Sequence, residues 1–106
     1  MNNTIWIIYS TFADKAEALS IAHNLVEKRL VACVNLHKNT TSVYRWEGKV
    51  CETQEVILIA KTSSEKRDSA MGEINRTHSY NVPCIIAYPV GEVLPKFMQW
   101  VADETT

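Results

Sequence analysis

Three cysteines and three histidines are the soft and borderline metal donors of this 106-residue chain. Cys33 sits in the apolar stretch Val31–Leu36, VACVNL. As a thiolate it is a soft ligand of the kind copper selects; as a thiol it is a small buried hydrophobe. His78 falls in the loop THSYNV. Its imidazole could ligate copper or another divalent ion, or serve as a surface cation near a helix C-terminus. Cys33, Cys51 and Cys84 are spaced 18 and 33 residues apart, which matches neither a disulfide framework nor a zinc ribbon. They read as free thiols in a reducing, cytoplasmic compartment. Cys51, His23 and His37 have no motif partner and are assigned to structure or surface.

The carboxylates say less. Glu52 and Glu55 lie on one predicted strand and point to opposite faces, because the side-chain period is two. Two carboxylates acting on one substrate are not expected there unless a bulge intervenes. Glu55 shares a face with Cys51 and Lys61, which suits an ion pair, solvated or interfacial. Tyr44, Trp46, Tyr80 and Trp100 could line a cleft between subunits or anchor an interface. There is no G-x-S-x-G, P-loop, H-E-x-x-H or glycine-rich dinucleotide turn. Three glycines in all leave little for close backbone approach to phosphate, and the chain reads as non-enzymatic. The net charge is −1 with no basic run, which disfavours nucleic acid. No apolar run is long enough to span a membrane. MNNTIWIIYS has no basic n-region and reads as a strand start rather than a signal peptide.

These residues must be positioned by a chain whose length predicts one domain, 1–106. Val43–Thr62 organises it. Thr40–Trp46 and Lys49–Lys61 are β-rich arms around Glu47-Gly48, where glycine supplies the positive φ of a tight reversal. The second arm spans roughly 40 Å at ~3.3 Å per residue. A domain of this size has a radius of gyration near ~13 Å, so the hairpin overhangs its own domain. An overhanging edge pairs with something, and a neighbouring subunit is the economical partner.

Around the hairpin, Thr4–Ser10 is a first strand. Asp14 and Glu17 match a capping box for a helix to about Leu30, with Ala18, Leu19, Ala22, Leu25, Val26 and Leu30 as its buried stripe. Val31–Leu36 is a strand and His37–Asn39 a short loop before the hairpin. Thr62 and Glu65 match a second capping box, opening a helix from about Ser64 to Arg76. Pro83–Val90 is an edge strand, and Pro95 opens a last short helix. The order β-α-β-β-α-β-α, with right-handed crossovers, is the α+β ferredoxin-like sandwich. Its first, long and last strands are apolar on both faces, where a solvated face would alternate with polar residues. An obligate oligomer with sheets packed inward follows.

KRLVACVNL, SVYRWEGKV, E-x-x-E-V with AKT closing the strand, H-x-Y-x-x-P and a late tryptophan occur in that order. From Tyr9 to about Trp100 this resembles the CutA family of divalent-cation tolerance proteins, and the hairpin core Y-x-W-E-G is the specific part. The resemblance implies a homotrimer of ferredoxin-like fold, similar in architecture to the PII signalling proteins. It also implies a link to copper tolerance and binding of divalent cations such as copper. It puts Cys33 on the family cysteine and His78 on the histidine before the tyrosine. Where the family often has proline this chain has Ser79, which predicts a less rigid loop. Where many members carry glutamate it has Cys84. Either the site becomes histidine plus thiolate, or the acid's role is lost. Cys33, His78 and Cys84 are the implied metal set, with no cofactor required for folding. The alternative is a PII-like sensor or scaffold whose inter-subunit cleft takes a small ligand or partner protein. Acylphosphatase shares the fold, but Tyr9–Ala13 lacks the arginine of its phosphate loop. The aromatic-basic pattern of an RNA-recognition module is missing from Val56–Lys61.

Overall fold

The central strand β1, Ile5–Phe12, is apolar at every position but Ser10 and Thr11, and it is paired on both sides in the computed structural model, which describes residues 4–106. Met1, Asn2 and Asn3 of the N-terminal stretch lie outside the described residues. The order continues with α1 (Lys15–Glu27), β2 (Cys33–Trp46), β3 (Lys49–Ser63), α2 (Arg67–Thr77), β4 (Ile85–Pro89) and α3 (Pro95–Glu104). The sheet order is β2-β3-β1-β4, and all three pairings are antiparallel. This is the expected ferredoxin-like sandwich.

One sheet face carries the core. Ile8 and Phe12 of β1 and Val56, Leu58 and Ala60 of β3 meet Ala18, Ile21 and Leu25 of α1 and Ala70 and Ile74 of α2. Leu19 and Val26, expected in the stripe of α1, are exposed, and Ile21 is buried in their place. The helix is rotated so that the 18–21–22–25 row faces the sheet. Glu73 ties α2 to α1 through Asn24 (2.5 Å) and Lys28 (2.7 Å), and it also binds Arg76. The hydrogen bonds from Arg76, Lys28 and Asn24 hold its carboxyl well below the usual carboxylate range.

Other boundaries differ from the sequence reading for physical reasons. Thr62 is no helix cap. It is a buried β3 residue whose hydroxyl donates to the Leu30 carbonyl at 2.6 Å, and α2 begins at Arg67. The Asp14 cap is present, with Oδ1 accepting from the Glu17 amide at 2.8 Å. The Glu17 carboxylate does not reach back, because it is engaged by Ser79. His37–Asn39 is not a loop but an irregularity inside one 14-residue strand, where the register against β3 shifts between His37 and Thr40. Asn39 takes a positive φ of 62° there, which asparagine tolerates better than most residues. At the hairpin tip Glu47 (φ 50°) and Gly48 (φ 79°) are both left-handed, the pair a two-residue type I′ turn requires.

α3 is seated by a second cluster, Ile5, Ala32 and Val101, with Val90, Val93 and Met98 against it. Ile5 is three residues from Ile8, so α3 caps one end of the face opposite the core. The rest of that face is open. It carries Ile7 and Tyr9 of β1, Ile57 and Ile59 of β3, and Ile86 and Tyr88 of β4, aligned in register. Ile86 is 52% exposed and Tyr88 49%. The hairpin stretches the molecule to 46 × 26 × 22 Å with a radius of gyration of 14.5 Å, above the ~13 Å of a compact chain this long.

Candidate functional site

Strand alternation alone would put Tyr44 and Trp46 of β2 on the face opposite Glu55 of β3. Before the irregularity His37 stands opposite Ile57, odd against odd. After it Thr40 stands opposite Glu55, Tyr44 opposite Cys51 and Trp46 opposite Lys49. Directly opposed residues share a face, so the one-residue shift turns Tyr44 and Trp46 onto the face of Glu55. Glu52, opposite Val43, stays on the other side. The bulge therefore decides which side chains share this face of the hairpin.

They meet in a pocket of about 450 Å³. Ser42, Val43, Tyr44 and Trp46 line it from β2, and Glu55 lines it from β3. Thr11 at the end of β1 and Tyr80, Asn81, Val82 and Cys84 from the loop before β4 complete it. The Tyr80 hydroxyl donates to Glu55 Oε2 at 2.7 Å. Burial, that hydrogen bond and the nearby Glu55 charge push the Tyr80 phenol well above its ordinary range. Burial and then the Glu55 charge also push the Cys84 thiol up. Burial, followed by Cys84 and Glu55, does the same to Tyr9. The site is a half-enclosed aromatic pocket around one carboxylate, with its neighbouring acids kept protonated. Thr11, Ser42, Val43, Asn81 and Val82 went unnoticed in the sequence, because their types are unremarkable and only the folded loop brings them there.

His78 holds that loop and does not face the pocket. Its side chain is fully buried. The ring stacks on Phe12 with centroids 4.3 Å apart and an interplanar angle of 13°. Nε2 donates to the Thr11 carbonyl at 2.8 Å, since a carbonyl can only accept, and Nδ1 accepts from the Tyr80 amide at 3.1 Å. Both nitrogens are spent, so the expectation of a metal-ligating imidazole fails in this chain on geometry. The expectation of a loose loop fails as well. Ser79 donates its amide to Glu17 Oε2 at 2.8 Å and its hydroxyl to Glu17 Oε1 at 2.9 Å, and a proline there would lack both donors.

The other expected donors are spread out. Cys33 stands opposite Lys61, in line with Ile7 and Tyr88 across the sheet. Cys84 lies four residues before Tyr88. Three strand spacings and four residue rises put the two thiols roughly 20 Å apart on the same open face. Burial raises the Cys33 thiol, against a smaller lowering by Lys61, and the Lys61 ammonium hydrogen-bonds Asn35. Among the described residues of one chain, no three histidine, cysteine, aspartate or glutamate side chains stand close enough to hold a metal ion. A complete metal site within one chain does not fit this donor set. Trp100 lies on α3 beside Phe97, 5.7 Å between ring centroids, and does not line the pocket.

Residues 6–104 match the family model described as CutA1 divalent ion tolerance protein. The divalent-cation tolerance protein CutA of Archaeoglobus fulgidus is 43% identical over 98 residues, covering 92% of this chain and 94% of that protein. The protein of the same name from Thermus thermophilus is 36% identical over 99 residues, covering 93% and 96%. Among solved structures, CutA from Xylella fastidiosa superposes with a TM-score of 0.94 at 35% identity, covering 96% of this chain and 98% of that one. With this sheet order, this hairpin and these matches, the chain belongs to the CutA1 family of divalent ion tolerance proteins.

Proposed function

We propose that the protein acts in divalent-cation tolerance by binding the cation itself, copper foremost, as a homotrimer whose sites draw donors from more than one subunit. The observation that carries this reading is the placement of Cys33 and Cys84. Cys33 lies on the open apolar sheet face and Cys84 at its margin, one residue before β4, and neither has enough partners among the described residues of its own chain. Packing that face against neighbours is the natural way to bury it and to bring further donors to each thiol. Free thiols favour a reducing, cytoplasmic setting. The reading is non-enzymatic. A nucleophilic cysteine needs a lowered pKa, whereas burial and Glu55 raise that of Cys84. Copper titration of reduced protein against a competing chelator tests the proposal. Cys33→Ser or Cys84→Ser should weaken copper binding by at least tenfold, through loss of a soft ligand. Wild-type affinity in both variants would contradict it.

A second reading is favoured by the pocket itself. At about 450 Å³ it falls in the range of small-molecule sites, and it opens on the face where a neighbouring subunit would sit. A PII-like trimeric sensor or scaffold, binding a small ligand or partner protein in that cleft, would use it.

A further inference from the structure

We propose that the pocket along the hairpin is a recognition site for a small organic cation, an ammonium group carried on an apolar body. This rests on the small-ligand reading above and adds the chemical class of the ligand. Three aromatic rings line the pocket, Tyr44, Trp46 and Tyr80, together with the carboxylate of Glu55. Aromatic faces attract a cation through the ring quadrupole; Tyr80 is held on Glu55, and Tyr44 and Trp46 extend the aromatic wall outward along the hairpin, opposite Cys51 and Lys49. No lysine or arginine lines the pocket. Arg45, between the two β2 aromatics in sequence, donates instead to the Gly48 carbonyl at 3.4 Å.

The carboxylate is only partly satisfied. Glu55 Oε2 accepts from Tyr80, and no other described protein group hydrogen-bonds the side chain. Burial is the first cause of the raised pKa values of Tyr9, Tyr80 and Cys84, and the Glu55 charge is a further cause in each. The pocket thus carries negative potential that nothing in its wall answers. An anionic ligand would meet repulsion. An alkylammonium ion would find rings for its apolar surface and a carboxylate for its charge.

The probe is (3-hydroxyphenyl)trimethylammonium, with 3-tert-butylphenol as its neutral counterpart of matched shape. Binding to the full-length protein is followed by NMR. The Trp46 indole N–H is identified by its loss in Trp46→Phe, and the amides of Tyr80, Asn81 and Cys84 serve as further reporters. The expected result is saturable movement of these signals by the cation, at least tenfold tighter than by the neutral compound. Glu55→Gln should reduce cation binding at least fivefold and leave the neutral compound unchanged. Glutamine keeps an acceptor for Tyr80, and an unchanged spectrum away from the pocket verifies folding. Equal affinity for the two compounds would overturn the cation inference and leave the small-ligand reading standing. No saturable movement with either would overturn both.

Discussion

Ile59→Asp yields a folded monomer. Ile59 sits at the centre of the open face, opposite Tyr9 of β1, which in turn stands opposite Ile86 of β4. In an isolated chain the new carboxylate would be partly exposed and hydrated, and the core on the helix side of the sheet would be untouched. In an assembly with this face buried, each subunit loses the roughly 1.5–3 kcal/mol of a buried isoleucine. Each also takes on an unpaired buried charge, far more costly still unless it is neutralised. Closed symmetry repeats the defect in every subunit. Light scattering after size exclusion should therefore report the mass of one chain, with far-UV circular dichroism close to that of the wild type. A variant that keeps the wild-type oligomeric mass would show that the open face is not the interface.

His78→Ala destabilises the protein strongly and leaves copper affinity within twofold. The ring is fully buried on Phe12 and closes two hydrogen bonds, to Thr11 and Tyr80. Deleting a buried ring costs about 2–5 kcal/mol by analogy with large-to-small core substitutions. Each backbone group left without a partner adds about 1–3 kcal/mol, less wherever water can enter. A loss of ~3 kcal/mol or more is expected. At roughly 4–8 °C per kcal/mol for a domain of this size, Tm should fall on the order of 10–20 °C, measured at fixed protein concentration because the proposed assembly would contribute to it. A normal Tm combined with weakened copper binding would restore His78 as a ligand.

Much of the fold was legible because its signals are local or periodic. The Glu47-Gly48 reversal, the Asp14 cap and the two-faced apolar strands each imply their element directly, and their order gives the sandwich. The overhang of the hairpin followed from strand rise alone, and the long axis of 46 Å agrees with it. What escaped depends on contacts far apart in sequence. Thr62 looks like a helix cap until Leu30 takes its hydroxyl. Glu17 looks like half of a capping box until Ser79, 62 residues away, takes its carboxylate. His78 looks like a ligand until Thr11 and Tyr80 occupy both nitrogens. Side-chain alternation does put Glu52 and Glu55 on opposite faces of β3, but nothing in the composition of β2 announces the bulge near Asn39 that brings Tyr44 and Trp46 to the Glu55 face. A single extra residue in a strand leaves almost no compositional trace.

The most direct test of the proposed role is native mass spectrometry of reduced protein, with and without one equivalent of copper per chain. The expected species has three times the 12.0 kDa chain mass and retains copper through desolvation. A monomer, or a trimer that releases all of its copper, would contradict the proposed role.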